Sequence, residues 1–293
     1  MGAAREAEEL GFSTVWAADR IVVPWEIETP YAYSWTGRFI VPPDKPFLES
    51  MTALAFLAGC TERVRLGVSV LVMGYRDPLH WAKVASTIDW LSRGRLVLGV
   101  GVGWMAEEFE ALGRGELYKE RGQVGDEQLE VLRNLFTEDH CTFRGRRYSY
   151  EDIAFYPKGF DPARPVPVWC GGEGKAAQRR AGRYGDAWFP YFARITPSEL
   201  RDRFANVRRH AEEAGRDPAQ VRLNCCLPVE VTDQPVEEEA DRVRGTPEQV
   251  VAALGRFAEV GVGHVAVQFL VGRYPERLAQ MRLFSEEVMG ALS

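Results

Sequence analysis

Hydrophobic and polar positions along the chain follow two alternating rhythms. Short β-branched runs recur, and each is followed by a longer stretch with apolar residues at helical spacing. AAREAEELGF predicts a helix at the start of the chain. STVWAAD (residues 13–19) predicts a strand, and FLESMTALAFLAGCT (47–61) a buried helix. RVRLGVSVLV (63–72) is a strand, and DPLHWAKVASTIDWLS a helix with Asp77 as N-cap and Pro78 at its first position. RLVLGVGVG is a strand and ERGQVGDEQLEVLRNLF a helix. CTFRGRRYSYEDIAFYP then breaks the rhythm as a hairpin turning at residues 144–147. PVPVWCGG, DAWFPYF, VRLNCCLPVEV and HVAVQFL predict four further strands. They are separated by the helices KAAQRRAGRYG, TPSELRDRFANVRRHAEEAG and TPEQVVAALGRFAEVG, and ERLAQMRLFSEEVMGAL closes the chain. Two of these helices open on Thr-Pro, at Thr196-Pro197 and Thr246-Pro247, and Gly261 is a stop signal.

Alternating βα units with short connections imply parallel strands and right-handed crossovers. An open doubly wound sheet shares that pattern, but the number of units favours closure. The expected fold is therefore α/β, a (β/α)8 TIM barrel. Seven strands are counted, not eight, and a closed parallel barrel would leave no edges unpaired. Either the native start lies upstream of Met1 or the barrel has an open seam; the expectation favoured is a first strand missing from this chain through a truncated or mis-called start. No tandem repeat, low-complexity tract or Gly/Ser linker divides the sequence, so residues 1–293 are expected to form one domain. Two insertions are expected, a lid-like segment around 21–46, rich in Pro, Tyr and Trp, and a hairpin around 140–157.

Composition narrows the function. The chain has 293 residues, 46% of them hydrophobic, enough for a large core. A net charge of -6 argues against nucleic acid as a partner, because neutralising phosphates needs a basic face. No run approaches the roughly 20 apolar residues of a membrane span. The opening residues read as helix, without a cleavable secretory signal. Cys60, Cys141, Cys170, Cys225 and Cys226 are odd in number and lack CxxC spacing. They read as free thiols in a cytoplasmic protein, with no metal site.

Three blocks carry a family resemblance that covers nearly the whole chain. They are AREAEELGFSTVWAADRIVVP, TERVRLGVSVLVMGYRDPLHWAKVASTIDWLSRGRLVLGVGVGWMAEEFEALG and PVWCGGEGKAAQRRAGRYGDAWFP. They resemble the luciferase-like monooxygenase superfamily, and within it the branch that depends on the deazaflavin coenzyme F420. The most specific part is SxGRLxLGxGxGW followed by EEFEALG. The resemblance implies a luciferase-like barrel, an F420 cofactor with FMN as the alternative, and hydride chemistry on a small-molecule substrate. By analogy with relatives it also implies a homodimer.

The candidate site residues follow. Asp19 and Arg20 end the strand of residues 13–19, where barrel enzymes place their chemistry, and are expected to be catalytic. Relatives carry His where Arg20 stands. An arginine stays protonated at neutral pH, so Arg20 is expected to stabilise negative charge on the ring or substrate. The resemblance implies a cis peptide at Ser69-Val70, backing the cofactor ring. Gly99, Gly101 and Gly103 clear one face of their strand for a flat ring or a close backbone, and Trp104 follows at the strand end. In sugar-phosphate dehydrogenase members an acid takes that place, so Trp104 argues against such a substrate. Gly171-Gly172-Glu173-Gly174 precedes a helix N-terminus and is expected to hold the cofactor phosphate on backbone amides. Trp25, Tyr31, Tyr33, Trp35 and Tyr75 are candidate substrate-pocket aromatics. His80 and His264 read as structural, and His140 and His210 as surface residues. The leading function is an F420-dependent oxidoreductase acting on an imine, enone or alcohol. An FMNH2-dependent monooxygenase and a non-catalytic flavin-binding barrel are the alternatives.

Overall fold

The structure, a computed structural model, describes residues 1–34, 36–39, 41–191, 195–239 and 242–292. It divides into two compact units. One is Trp16–Gly171; the other joins Met1–Val15 to Gly172–Ser293.

In the first unit, β1 (Thr14–Ala17) enters from the N-terminal side and is followed by the long segment 18–49 and by α2 (Ser50–Ala58). β2 (Arg65–Val72), α3 (Pro78–Ser92) and β3 (Leu96–Gly101) then form a βαβ unit, with β2 and β3 parallel. All six residues of β3 are buried, as expected for a strand covered on both faces. α4 (Ala106–Ala111) and the 23-residue α5 (Gly115–Thr137) follow. The antiparallel hairpin β4 (Cys141–Arg144) and β5 (Ser149–Ile153) comes next. β6 (Val168–Gly171) then pairs parallel with β3, at Leu98↔Val168 and Gly99↔Trp169. The strand order in this unit is β1-β2-β3-β6.

Local signals account for most boundaries. Asp77 accepts the amides of Leu79 (3.0 Å) and His80 (3.2 Å), capping α3 with Pro78 in its first turn. α3 buries Trp81, Ala82, Ala85 and Ile88, and the Trp81 indole donates to Gln128 Oε1 on α5 at 3.0 Å. It ends at Arg93, in the left-handed region (φ 58°), followed by Gly94. The Arg95 guanidinium ties this end together by donating to the carbonyls of Ala58, Thr61, Val64 and Ser92. The hairpin turns at Gly145, whose amide donates to the Tyr148 carbonyl. It is held to α5 through Glu127 Oε1, which accepts the amides of Arg147 and Tyr148.

The second unit holds α1 (Gly2–Glu9), α6 (Lys175–Tyr184), β7 (Ala187–Phe189), α7 (Pro197–Glu213), β8 (Arg222–Val231), β9 (Val243–Gly245), α8 (Pro247–Glu259), β10 (Val262–Phe269) and α9 (Tyr274–Glu287). β8 lies between β7 and β10, parallel to both, and β9 adds to its end. Thr196 with Glu199 and Thr246 with Gln249 form the capping boxes that open α7 and α8. α6 and α7 approach closely because position 182 is glycine: a Cβ there would lie 2.5 Å from the Val207 carbonyl oxygen.

The seven expected strand segments all occur, parallel where they pair, and so does the hairpin. Two elements depart from expectation. α5 begins at Gly115, five residues earlier than the pattern predicts, and α4 occupies AEEFEA, where the pattern predicts no helix. The three-residue β9 carries no alternation from which to predict it; it forms by pairing Val243 to Val229.

The parallel register of β2 and β3 breaks between Val68 and Leu71. The displaced backbone fits because β3 has no side chains there. A Cβ on Gly99 would stand 2.1 Å from the Val68 carbonyl oxygen, a backbone atom that cannot turn aside. Gly99→Ala is therefore expected to cost about 2–3 kcal/mol by overpacking. Gly255→Ala on α8, where a Cβ meets nothing within 4 Å, should be neutral or slightly stabilising. Urea denaturation of both variants checks this; a near-neutral Gly99→Ala would mean that β2 can retreat.

Candidate active site

Directly after β1, Asp19 is buried, and its carboxylate accepts four hydrogen bonds from protein groups. Oδ1 takes Ser50 Oγ (2.8 Å) and Arg76 Nη2 (2.7 Å). Oδ2 takes the Val72 amide (2.9 Å) and Arg76 Nη1 (2.8 Å). The bidentate Arg76 fork and the Val72 amide fasten the end of β1 to the end of β2. Arg76 also reaches Glu49 Oε1 at 2.9 Å, and Glu49 caps α2 through the amides of Met51 and Thr52. Burial works to raise the Glu49 pKa, but the Thr52 and Met51 hydrogen bonds and the Arg76 guanidinium outweigh it and hold the carboxyl below its usual value.

Arg20, the next residue, is also buried. Its Nη1 donates to Glu108 Oε2 at 3.0 Å, and its guanidinium lies over Phe39 (5.1 Å) and Trp104 (5.2 Å). Tyr31 packs on Trp104 at 4.6 Å and edge-on to Phe39 at 5.3 Å, and Tyr33 packs edge-on to Tyr31. Glu108, fully buried on α4, gathers this corner. It accepts the Tyr75 hydroxyl at 2.9 Å and the amides of Ile21 (2.8 Å) and Val22 (3.3 Å). Its neighbour Glu107 accepts the amides of Glu28 and Thr29, both at 2.8 Å. Two adjacent acids in the first turn of one short helix thus anchor the segment that follows β1. Tyr75 is buried against Phe109, and burial together with the nearby Glu108 pushes its hydroxyl pKa up.

Ser69 and Val70 sit at the break in β2, their peptide bond is cis, and both retain partial exposure between buried neighbours. The glycines of β3, and Gly103 just beyond it, face this break. A Cβ on Gly101 would meet Val70 Cγ2 at 2.6 Å, and one on Gly103 would meet Val72 Cγ1 at 2.7 Å. The close backbone that the glycine spacing anticipates is that of β2. Gly103 has φ 81°, and the stretch beyond it is held by Arg121, whose Nε donates to the Gly103 carbonyl, and by Tyr118, whose hydroxyl donates to the Trp104 carbonyl.

In the second unit, the loop before α6 has a distinct electrostatic arrangement. Gly172 has φ 95°. The Trp188 indole donates to its carbonyl, and Gln178 Nε2 donates to the Glu173 carbonyl, both at 2.8 Å. In a trans peptide the carbonyl and the following N–H point in opposite directions. Fixing these two carbonyls on the protein therefore turns the amides of Glu173 and Gly174 away from those anchors. Gly174 is the N-cap of α6 and supplies no side-chain cap, so the first-turn amides rely on another acceptor. A Cβ at Gly174 would meet nothing within 4 Å. This donor set suits an oxyanion. Glu173 carries the one carboxyl in the loop, and burial pushes its pKa up to about 8.

The structure brings Asp19, Arg20, Tyr31, Tyr33, Tyr75 and Trp104 into one neighbourhood, and sets Ser69 and Val70 against Gly99, Gly101 and Gly103. It leaves Trp25 80% exposed and unattached to that cluster. Trp35 lies outside the described residues. His140 pairs with Asp152 on the surface and His210 with Glu213. Among the described residues no His, Cys, Asp or Glu group could hold a metal ion, and no helix is long and apolar enough to cross a membrane. Four residues of the neighbourhood had not been singled out: Arg76, Glu107, Glu108 and Phe39. The adjacent glutamates opening an unrecognised helix were a readable signal, since acids favour a helix's first turn. Arg76 and Phe39 had none.

Known proteins give the same picture of the fold. The model of the luciferase-like monooxygenase family matches residues 1–244. An uncharacterised protein of Mycobacterium tuberculosis is 34% identical over 213 residues, 73% of this chain and 71% of that protein. An F420-dependent glucose-6-phosphate dehydrogenase of Amycolatopsis mediterranei is 33% identical over 187 residues, 62% of this chain but only 50% of its own length. Among solved structures, an F420-dependent secondary alcohol dehydrogenase in complex with an F420-acetone adduct superposes with a TM-score of 0.80 at 20% identity. The match covers 100% of this chain and 94% of that one.

Removing one member of a buried ion pair strands the other. Glu108→Ala is expected to cost about 3–5 kcal/mol in urea denaturation, because it leaves Arg20 and two loop amides without their acceptor. Arg20→Met combined with Glu108→Leu should cost less than the single variant. A double variant at least as destabilised would show that the loop amides, and not the guanidinium, govern the loss.

Proposed function

Because the chain belongs to the luciferase-like monooxygenase family, we propose that it is an oxidoreductase dependent on coenzyme F420, moving hydride between the deazaflavin and a small organic substrate such as an imine, enone or alcohol. The F420-dependent relatives support the cofactor. The observation that carries the reading is the loop before α6. Its carbonyls are fastened to Trp188 and Gln178, and its amides are released at an uncapped helix N-terminus, as a cofactor phosphate requires. Gly171, Gly172, Glu173 and Gly174 hold that phosphate in this proposal, and Ser69, Val70, Gly101, Gly103 and Trp104 border the ring. The bound deazaflavin supplies the hydride chemistry.

The protein's own part is orientation and electrostatics. Arg20 serves as positive charge, aimed by Glu108 and shielded from water by Phe39 and Trp104. Asp19 acts at one remove. With its oxygens engaged by Arg76, Ser50 and Val72, it positions the end of β1 and so the backbone of Arg20. Tyr75 orients Glu108. Tyr31 and Trp104 form the apolar wall. Trp104 offers no acid for a sugar phosphate, which favours a substrate less polar than that of the glucose-6-phosphate dehydrogenases.

Titration with F420 and with FMN, followed by hydride-transfer assays on a panel of alcohols, imines and enones, tests the reading. F420 should bind and its absorbance should change on turnover. Tight FMN binding with no F420 binding would overturn the assignment in favour of a flavin enzyme. Arg20→Ala should lower kcat by about 10- to 1,000-fold while changing the F420 Kd less than threefold. Equal losses in both would make Arg20 a binding residue alone.

A further inference from the structure

We infer that Glu173 meets the cofactor phosphate as a neutral carboxyl that donates a hydrogen bond to it, so that cofactor retention falls at alkaline pH. This rests on the F420 reading above and deepens it. An acidic residue in an anion-binding loop is a contradiction if the carboxyl is ionised, since like charges at contact distance repel. The structure removes the contradiction geometrically. Glu173 Oε1 is buried and has no hydrogen-bond partner among the described residues. Such an orphaned atom in an otherwise well-bonded loop calls for a partner from outside the chain. Along the chain the residue adjoins the left-handed turn at Gly172, the released amides of Glu173 and Gly174, and the uncapped first turn of α6. A carboxylic acid placed there completes the donor set. A carboxylate would oppose it.

α6 carries Lys175, Arg179 and Arg180, and α7 carries Arg203. Of these, Arg203 is the one whose charge reaches the Glu173 carboxyl and favours its ionised form. Burial acts in the opposite sense and is the larger effect, leaving the pKa at about 8. The carboxyl is therefore mostly neutral at pH 7 and ionises above about 8. A bound phosphate, being anionic, would raise that threshold further, so binding and protonation reinforce each other. The same shift has a consequence without cofactor. The folded chain holds this proton more tightly than the unfolded chain, whose carboxyl titrates near 4.5. The protonated state therefore stabilises the fold relative to the ionised one, and that advantage is lost as pH rises from about 4.5 to about 8.

The test compares the full chain with Glu173→Gln, which keeps the shape and a donor but cannot ionise. F420 affinity is measured by deazaflavin fluorescence from pH 6 to 9, and thermal stability of the cofactor-free proteins over pH 5 to 9. Any titration of the cofactor itself affects both proteins equally, so the difference between their profiles is what is read. The wild-type Kd should rise by about fivefold between pH 8 and 9 relative to the variant. The cofactor-free wild type should lose stability relative to the variant as pH rises through the interval below 8. Parallel affinity profiles with F420 binding intact would overturn the role of Glu173 and leave the cofactor assignment standing. Parallel stability profiles would show that the carboxyl is already ionised, with the same result. Failure of both proteins to bind F420 at any pH would overturn the cofactor assignment and this inference together.

Discussion

The local structure turns on one steric accommodation: β2 shifts out of register at Ser69-Val70, and β3 with the residues just beyond it takes in the shifted chain because positions 99, 101 and 103 are glycine. The two features require each other. With Cβ atoms on β3, the Val68 carbonyl and the Val70 and Val72 side chains would have nowhere to go. With a regular β2, the glycines would leave gaps in a buried strand, and gaps forfeit contact energy. Val72, at the end of the shifted stretch, sends its amide to Asp19, and the turn after it delivers Tyr75 to Glu108 and Arg76 to Asp19. The charged neighbourhood is thus built on backbone whose course the glycines permit. The GxGxG spacing reports a neighbour's shape, and bears on the proposed ring site through that neighbour.

Above this scaffold the organising device is electrostatic. Burying Arg20, Asp19 and Glu108, and most of Arg76, is costly unless each charge is paired and hydrogen-bonded, and here each has a named partner within 3.0 Å. The two pairs do different work. Asp19–Arg76 joins strand ends and leaves its carboxylate no free edge. Arg20–Glu108 joins a strand end to a helix, and Glu108 spends its other oxygen on the amides of Ile21 and Val22. An arginine at this position therefore arrives with its own counter-charge, and the field it can project onto a reacting group is smaller than that of a lone cation. What it adds is direction, since a planar guanidinium held between two aromatic rings and one carboxylate has little freedom to turn.

Repetition and local chemistry were what the sequence made legible. The βα rhythm located all seven strand segments, and Asp77-Pro78, Thr196-Pro197 and Thr246-Pro247 marked helix starts that the structure caps as expected. Those signals lie within a few residues of what they specify. The ion pairs are another matter. Arg20 and Glu108 are separated by 88 positions and Asp19 and Arg76 by 57, and no periodicity encodes such a pairing. Asp19 and Arg20 were singled out as a pair because they are adjacent in sequence. The structure places both just beyond the end of β1 and gives them separate partners, Arg76 for Asp19 and Glu108 for Arg20. Trp25 shows the limit of composition: a tryptophan in an aromatic segment suggests a pocket, yet this one faces solvent.

The aromatic segment is also the reason that substrate and scaffold can vary independently. Tyr31, Tyr33 and Phe39 approach Arg20 and Trp104 through ring contacts, which tolerate exchange of one apolar side chain for another. The backbone bearing them is pinned at residues 21–22 on Glu108 and at residues 28–29 on Glu107. Between and beyond those pins the chain can change without disturbing either carboxylate. Loops so held are where a family changes what it recognises while its strands stay fixed. In this chain the two glutamates of α4 are therefore the boundary between the part of the site set by the fold and the part free to follow the substrate.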